Sequence, residues 1–221
     1  MCCRYFVEPN GYFAELARRA QKSTINSGLH IREGHVRTEG EISPGNNVPV
    51  LATGKTGKQI AFLMFWGFRA KNGSLVVNAR TETAAEKPMF KDAWASHRCV
   101  IPASWYYEWE HFSSPDGKTR TGQKYSIQPV GMDKTFLAGL YRMENSFPHF
   151  AVLTRPPGDS ISFIHDRMPL ILPEDMIDDW IRPDSDPQEI IKHALTDMVC
   201  EPAPKDDAQI SIGPEGLSQA F

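Results

Sequence analysis

The sequence predicts a β-rich α+β domain, and three features carry that expectation. Seven short runs are rich in Val, Ile, Phe and Tyr and are separated by Gly, Asn, Asp or Pro, the pattern of strands between turns. Helical spacing is confined to the beginning of the chain, one short central stretch and the last third. Strands outnumber helices and do not alternate regularly with them, which argues against a parallel α/β sheet. The 221 residues suit one domain across 1–221, with a core over about 2–200 and a polar tail over about 201–221.

In chain order, Phe13, Leu16, Ala17 and Ala20 share one face of a helix over 11–20, and Asn10 is placed to cap it. Residues 23–47 are polar and punctuated by Gly, which reads as a long loop. Strands are expected over 48–52, 59–65, 74–80, 98–109, 124–129, 135–141 and 149–153, with a short helix over 87–94. A further helix opens at Pro173 and runs through Trp180. Asp186, Pro187 and Glu189 then supply a cap, a first-turn proline and a capping-box carboxylate.

A content of 41 % hydrophobic and 23 % charged residues is that of a soluble globular protein and excludes a disordered or fibrous one. No apolar run reaches about 18 residues, so no membrane span is expected. Glu8, Pro9 and Asn10 stand where a secretory signal would be apolar, so the expected location is cytoplasmic. The four cysteines form no CxxC pair, and neighbours such as Cys2 and Cys3 rarely bridge each other. None of the seven histidines has metal-ligand spacing, so neither a metal nor a cofactor is expected. The net charge of −3 leaves nucleic acid open as a partner, because binding depends on where cations sit and not on their sum.

Four segments contain residues suited to chemistry. If Met1 is removed, Cys2 becomes an amino terminus with two nucleophiles on adjacent carbons, an α-amine of pKa about 8 and a thiol of about 8.5. The pair can condense with an aldehyde to a five-membered thiazolidine. The bland alternative is a small residue that happens to follow Met1. Asn78, Arg80 and Glu82 share one face of the 74–80 run if the strand pattern continues, either to orient a substrate and a phosphate or as a wet face. Strand alternation puts Trp105, Tyr107 and Trp109 on one face and Ser104, Tyr106 and Glu108 on the other; burial in this aromatic run would raise the Glu108 pKa into the range useful for proton transfer. An exposed outer face is the other reading. His165, between an apolar stretch and Pro169, is either an acid/base group or an ordinary histidine.

Taken together these segments resemble the SRAP family of SOS-response-associated, abasic-site-processing proteins. The resemblance rests on Met1-Cys2-x-Arg4-Tyr5, Glu41-Ile42-x-Pro44, Trp66-Gly67-Phe68, Asn78-Ala79-Arg80-x-Glu82-Thr83, Glu86-Lys87-Pro88-Met89-Phe90, the 101–109 run and Ile164-His165-Asp166-Arg167-Met168-Pro169, all in the family's order. It implies a mostly antiparallel, barrel-like sheet with a few flanking helices. It also implies a protein, acting as a monomer on chromosomal DNA, that captures abasic sites in single-stranded DNA through Cys2, with an associated lyase activity.

The same resemblance assigns Asn78 to a hydrogen bond near the crosslink, Glu108 to proton transfer beside the N-terminal amine, and His165 to sugar opening and reversal. It assigns Arg4, Arg80 and Arg167 to phosphates, and Pro44, Trp66 and Met89 to stacking and wedging against the strand. Two positions depart from the pattern: Cys3 and Trp105 stand where the family usually has Gly, the residue that best tolerates close backbone approach. Two other readings of the residues remain. One is a cysteine peptidase or N-terminal-nucleophile amidohydrolase, including self-removal of Met1. The other is a non-covalent single-stranded-DNA-binding module.

Overall fold

Fifteen strands and five α-helices build the described part of the chain, residues 3–114 and 116–204 of this computed structural model. In order they are β1 (Arg4–Val7), α1 (Gly11–Asn26), β2 (Gly40–Ile42), β3 (Asn47–Thr53), β4 (Gln59–Trp66), β5 (Phe68–Arg69), β6 (Leu75–Val76) and β7 (Asn78–Arg80). Next come α2 (Thr81–Ala84), α3 (Lys91–Ser96), β8 (Arg98–Ala103), β9 (Trp105–Ser113), β10 (Thr119–Pro129), β11 (Thr135–Glu144) and β12 (Phe147–Arg155). The chain continues with β13 (Met168–Pro169), β14 (Ile171–Leu172), α4 (Ile177–Ile181), α5 (Pro187–Ile191) and β15 (Met198–Ala203).

Five of these strands close into a barrel. β3 pairs antiparallel with β4 and with β8, β8 with β11, and β11 with β12. The parallel contact of His149 with Phe65 and of Phe150 with Trp66 joins β12 back to β4. Closure leaves these strands little free edge. Asn145 and Ser146, both at positive φ, form the tight β11–β12 turn that suits a hairpin's twist.

Buried residues run almost without alternation through β3, β8 and β12, because both faces of these strands are covered. The Phe13, Leu16, Ala17 and Ala20 face of α1 is buried and covers β4 and β3. The Thr24 hydroxyl on the same helix donates to the Ala20 carbonyl and accepts from the Leu63 amide at 2.9 Å. An antiparallel sheet of order β15–β10–β9–β1–β2 lies beside the barrel. The mostly antiparallel, barrel-like α+β fold is the one the sequence predicts.

Several boundaries differ from the sequence expectation, each for a local reason. Helix α1 continues to Asn26 because the buried Thr24 extends its inner face. Within the expected 23–47 loop, β2 forms by pairing with β1; both strands are too short to show a period. The 98–109 run divides at Ser104, whose amide donates to the Phe6 carbonyl and whose hydroxyl accepts from the Glu8 amide. β8 therefore belongs to the barrel and β9 to the second sheet.

The 74–80 run divides at Val77. Its carbonyl accepts from both the Val152 amide and Trp66 Nε1. Glu82 lies on α2 and not on a continued strand, so the expected Asn78–Arg80–Glu82 strand face does not form. The 87–94 helix begins only at Lys91, and the 173–180 helix opens with a 3₁₀ turn over Glu174–Met176. Asp186 caps α5 through the Gln188 amide at 2.9 Å. Glu201, Pro202 and Ala203, within the tail expected from sequence, pair with β10; residues 205–221 of that tail lie outside the described residues.

Arg98 joins the barrel to the C-terminal helices. It is 1 % exposed and donates to the carbonyls of Trp180 at 2.7 Å and Trp94 at 2.8 Å, to that of Arg182, and to the Ser185 hydroxyl at 2.9 Å. A buried carbonyl left without a donor costs roughly 1–3 kcal/mol. Arg98→Met should therefore lower the unfolding free energy by at least about 3 kcal/mol in urea titration. A loss below about 1 kcal/mol would show that the cluster is not structural.

Candidate functional site

The pairing of β1 with β9 decides what lies near the amino terminus. Arg4 faces Tyr107, Tyr5 faces Tyr106 and Phe6 faces Trp105. Paired residue numbers sum to 111 in each case, so the same register carried one step outward sets Cys3 opposite Glu108. Residues opposite each other in an antiparallel pair point to the same face, and Cys3 is half-buried there. Its thiol is pushed up first by burial and next by the Glu108 carboxylate, which puts the two side chains within electrostatic reach. Cys2, the expected nucleophile, lies outside the described residues.

Strand alternation decides the environment of Glu108. Tyr5 and Tyr106 face the core at 1 % and 0 % exposure, and Glu108 shares their face at 3 %. Trp105, Tyr107 and Trp109 take the opposite face, where Phe6 stacks on Trp105 at 4.6 Å and Arg4 lies 5.8 Å from the Trp109 ring. Burial raises the Glu108 pKa, Asp166 adds in the same direction, and the Trp109 amide at 3.3 Å from Oε1 opposes it. The carboxyl thus holds its proton to higher pH than an exposed glutamate. Of the two sequence readings of Glu108, the structure selects the buried one.

His165 reaches this region from the turn before β13. The His111 amide on β9 donates to the Ile164 carbonyl at 3.1 Å, and the His111 and His165 rings lie 4.6 Å apart. His165 Nδ1 is 2.7 Å from Asp166 Oδ1 and 3.0 Å from the Arg167 amide nitrogen. One nitrogen cannot donate to the first and accept from the second. The Arg167 amide can only donate and makes the hydrogen bond to Nδ1, so Nδ1 is the acceptor and the neutral ring carries its proton on Nε2. Burial lowers the His165 pKa, with His111 and Arg167 acting in the same direction and Asp166 against it. The imidazole is therefore neutral near pH 7.

Asn78 and Arg80 enter from β7, which runs parallel to β12 with Asn78 opposite Val152 and Arg80 opposite Thr154. Asn78 is half-buried and Arg80 exposed. Both line an open cavity of about 970 Å³. Four more cations, Arg69, Lys71, Lys87 and Arg142, line it, with Met89 on the apolar side. Arg69 and Arg142 are paired with Glu33 and Glu144. Lys71, Arg80 and Lys87 have no carboxylate partner among the described residues. These extra cations were missed from sequence; Lys71 and Lys87 lie in the segments on either side of the 74–80 run, but Arg142 comes from β11 and gave no local signal.

Four expected DNA contacts are placed differently. Trp66 is 0 % exposed, packed at 5.3 Å on Tyr5 and 5.9 Å on Phe150, so it has no face to offer a base; its indole N–H instead ties β4 to the Val77 carbonyl. The Arg167 guanidinium is spent internally, on both Glu82 oxygens and on the Thr154 carbonyl at 2.6 Å. Arg4 pairs with Glu41. Pro44 is half-buried in the turn after β2, apart from the residues that line the cavity.

The sequence model of the SOS response associated peptidase (SRAP) family matches residues 1–210. The chain is 30 % identical to the abasic site processing protein YobE of Bacillus subtilis, over 77 % of this chain and 80 % of that protein. It is 27 % identical to the abasic site processing protein YoqW of Bacillus phage SPbeta, over 77 % and 79 %. A crystal structure of a protein from Bacteroides thetaiotaomicron superposes with a TM-score of 0.67 at 19 % identity, covering 93 % of each chain; at that identity it speaks for the fold alone.

The Arg167–Glu82 pair ties α2 to the His165 turn, and its hydrogen bonds hold the Glu82 carboxyl down at about 2. A depressed folded-state pKa contributes stability that is present above the unfolded value and lost as pH falls through the folded one. In Arg167→Gln, the Glu82 carboxyl should titrate near the ordinary value of about 4.3 by carbon-detected NMR. The stability lost on acidification from about pH 4.5 to 2 should shrink relative to the parent. An unmoved Glu82 titration would contradict the pairing.

Proposed function

The chain belongs to the SRAP family, and from that premise we propose that it processes abasic sites in DNA by joining their aldehyde covalently to Cys2 after Met1 is removed. The observation that carries this reading is the register that sets Cys3 opposite the buried Glu108. Cys2 is covalently joined to Cys3, and this reading takes its amine and thiol to act with that carboxyl. The names of the similar proteins supply the substrate class.

The chemistry follows from the two proton donors and acceptors. The His165 imidazole, neutral near pH 7 with its proton on Nε2, gives that proton to the ring oxygen and takes one from the C1′ hydroxyl, which opens the abasic deoxyribose to its aldehyde. The neutral Cys2 α-amine adds to the C1′ carbonyl to form a carbinolamine. Glu108 in its protonated form, which burial favours, donates to the carbinolamine hydroxyl, which leaves as water, giving an iminium. The Cys2 thiol adds to C1′ and its proton goes to Glu108. The net change is aldehyde plus amine plus thiol to thiazolidine plus one water. Asn78 orients the sugar by hydrogen bonding, and β-elimination from the iminium is the accompanying lyase route.

The cation-lined cavity beside Asn78 suits a single strand's phosphates, with Met89 against a base or sugar. On this reading the protein works as a monomer on chromosomal DNA in the cytoplasm, and its binding is salt-sensitive despite the net charge of −3.

Incubating the processed protein with single-stranded DNA bearing one abasic site, then resolving it on a denaturing gel, should give a shifted band. The band should vanish in Cys2→Ala and form at least about 100-fold more slowly in Glu108→Gln. Absence of any shift, with cleavage of a peptide or small amide instead, would replace this reading with a hydrolytic one. Non-covalent retention alone would reduce the protein to a binding module. Arg80→Ala should lessen the salt dependence of binding; an unchanged salt slope would remove Arg80 from the phosphate contacts.

A further inference from the structure

One carboxylate holds three strands together at the end of β1. Glu41 on β2 accepts from the Arg4 guanidinium on β1 and, at 2.9 Å, from Lys124 Nζ on β10. The rings of Tyr107 and Trp109 on β9 lie beneath these charges, with Lys124 Nζ 4.1 Å and 5.3 Å from their centroids. The Lys124 side chain is 4 % exposed, against 29 % for Glu41 and 39 % for Arg4. An ammonium this deeply buried needs a counter-charge, and Glu41 supplies it. The four residues share the sheet face opposite Glu108, because Trp109 pairs with Lys124 and Tyr107 with Arg4.

We propose that Glu41 is a positioning residue for the crosslinking reaction: by gripping Arg4 and Lys124 together it fixes the outer end of β1 in the register that sets Cys3 opposite Glu108. Arg4 is the first residue of β1 and its last paired position before the chain end, where strands fray unless tied down. On one side Arg4 pairs with Tyr107 of β9; on the other, β2 has only three residues and pairs only from Tyr5 inward. The Glu41 side chain joins β2 to Arg4 where the β1–β2 ladder has stopped. Lys124 was not singled out from sequence, and its burial beneath a carboxylate and over two aromatic rings is otherwise costly.

The proposal rests on the crosslinking reading, and its test separates the two. Glu41→Gln keeps the shape of the side chain and removes its charge. With processed protein and abasic single-stranded DNA, the crosslinking rate at saturating DNA should fall tenfold to about 100-fold, while the half-saturating DNA concentration changes less than about twofold. Because Glu41→Gln takes a carboxylate from a buried ammonium, Glu41→Gln/Lys124→Met serves as the second variant. The slow rate should persist in it even where thermal stability returns to the parent value.

Amide hydrogen exchange supplies a readout independent of DNA. Exchange across Arg4–Val7 should quicken at least about tenfold in both variants, with β12 unchanged. A parental maximal rate in Glu41→Gln, a loss confined to half-saturation, recovery of the rate in the double variant, or unaltered exchange in β1 would each overturn the positioning role. If the parent protein forms no crosslink, the functional reading falls, and the exchange measurement still decides whether Glu41 holds β1.

Discussion

The antiparallel pairing of β1 with β9 is the constraint on which the rest of the site depends. Three paired residues set the register, and the two-residue period of a strand then assigns every side chain to a face. Tyr5, Tyr106 and Glu108 go inward; Arg4, Tyr107 and Trp109 go outward. A slip of one residue in β9 would take Tyr106 and Glu108 off the inner face, away from Cys3 and from the burial that raises the Glu108 pKa. Register and proton affinity are thus one property seen at two scales.

The barrel makes that register affordable. Its strands are buried on both faces, and the break at Ser104 passes the chain from barrel to second sheet within one residue. β9 is therefore anchored at its start by the molecule's most deeply buried strands. On the other side, β12 carries β7 and with it Asn78 and Arg80, while the Arg167–Glu82 pair and the Thr154 carbonyl hold the His165 turn against α2 and β12. Glu108, Asn78 and His165 arrive from three separate parts of the chain, and each is held by an element of the core.

Much of this was legible in the sequence, and the exceptions have physical reasons. Alternation through 104–109 correctly separated Glu108 from the tryptophans, since that pattern depends only on strand geometry. Asn10 and Asp186 acted as caps because capping is local. Burial of Trp66 and the internal pairing of Arg167 were not legible, because each depends on distant partners: Tyr5, Phe150 and Val77 for one, Glu82 and Thr154 for the other. A tryptophan suited to stacking on a base is equally suited to stacking on Phe150. The same limit hid the Glu41–Lys124 contact, which joins residues 83 positions apart.

The central claim is that the Cys2 amine and thiol act together, and peptide mapping of the DNA adduct tests it most directly. After reaction with abasic single-stranded DNA and nuclease digestion, the amino-terminal peptide is treated with iodoacetamide and then with borohydride, and its mass is read. The account predicts a sugar adduct on Cys2 with its thiol closed to alkylation, the Cys3 thiol alkylated, and no gain of hydride. An adduct on a lysine, or on Cys2 with its thiol still alkylated and its imine reduced, would contradict it.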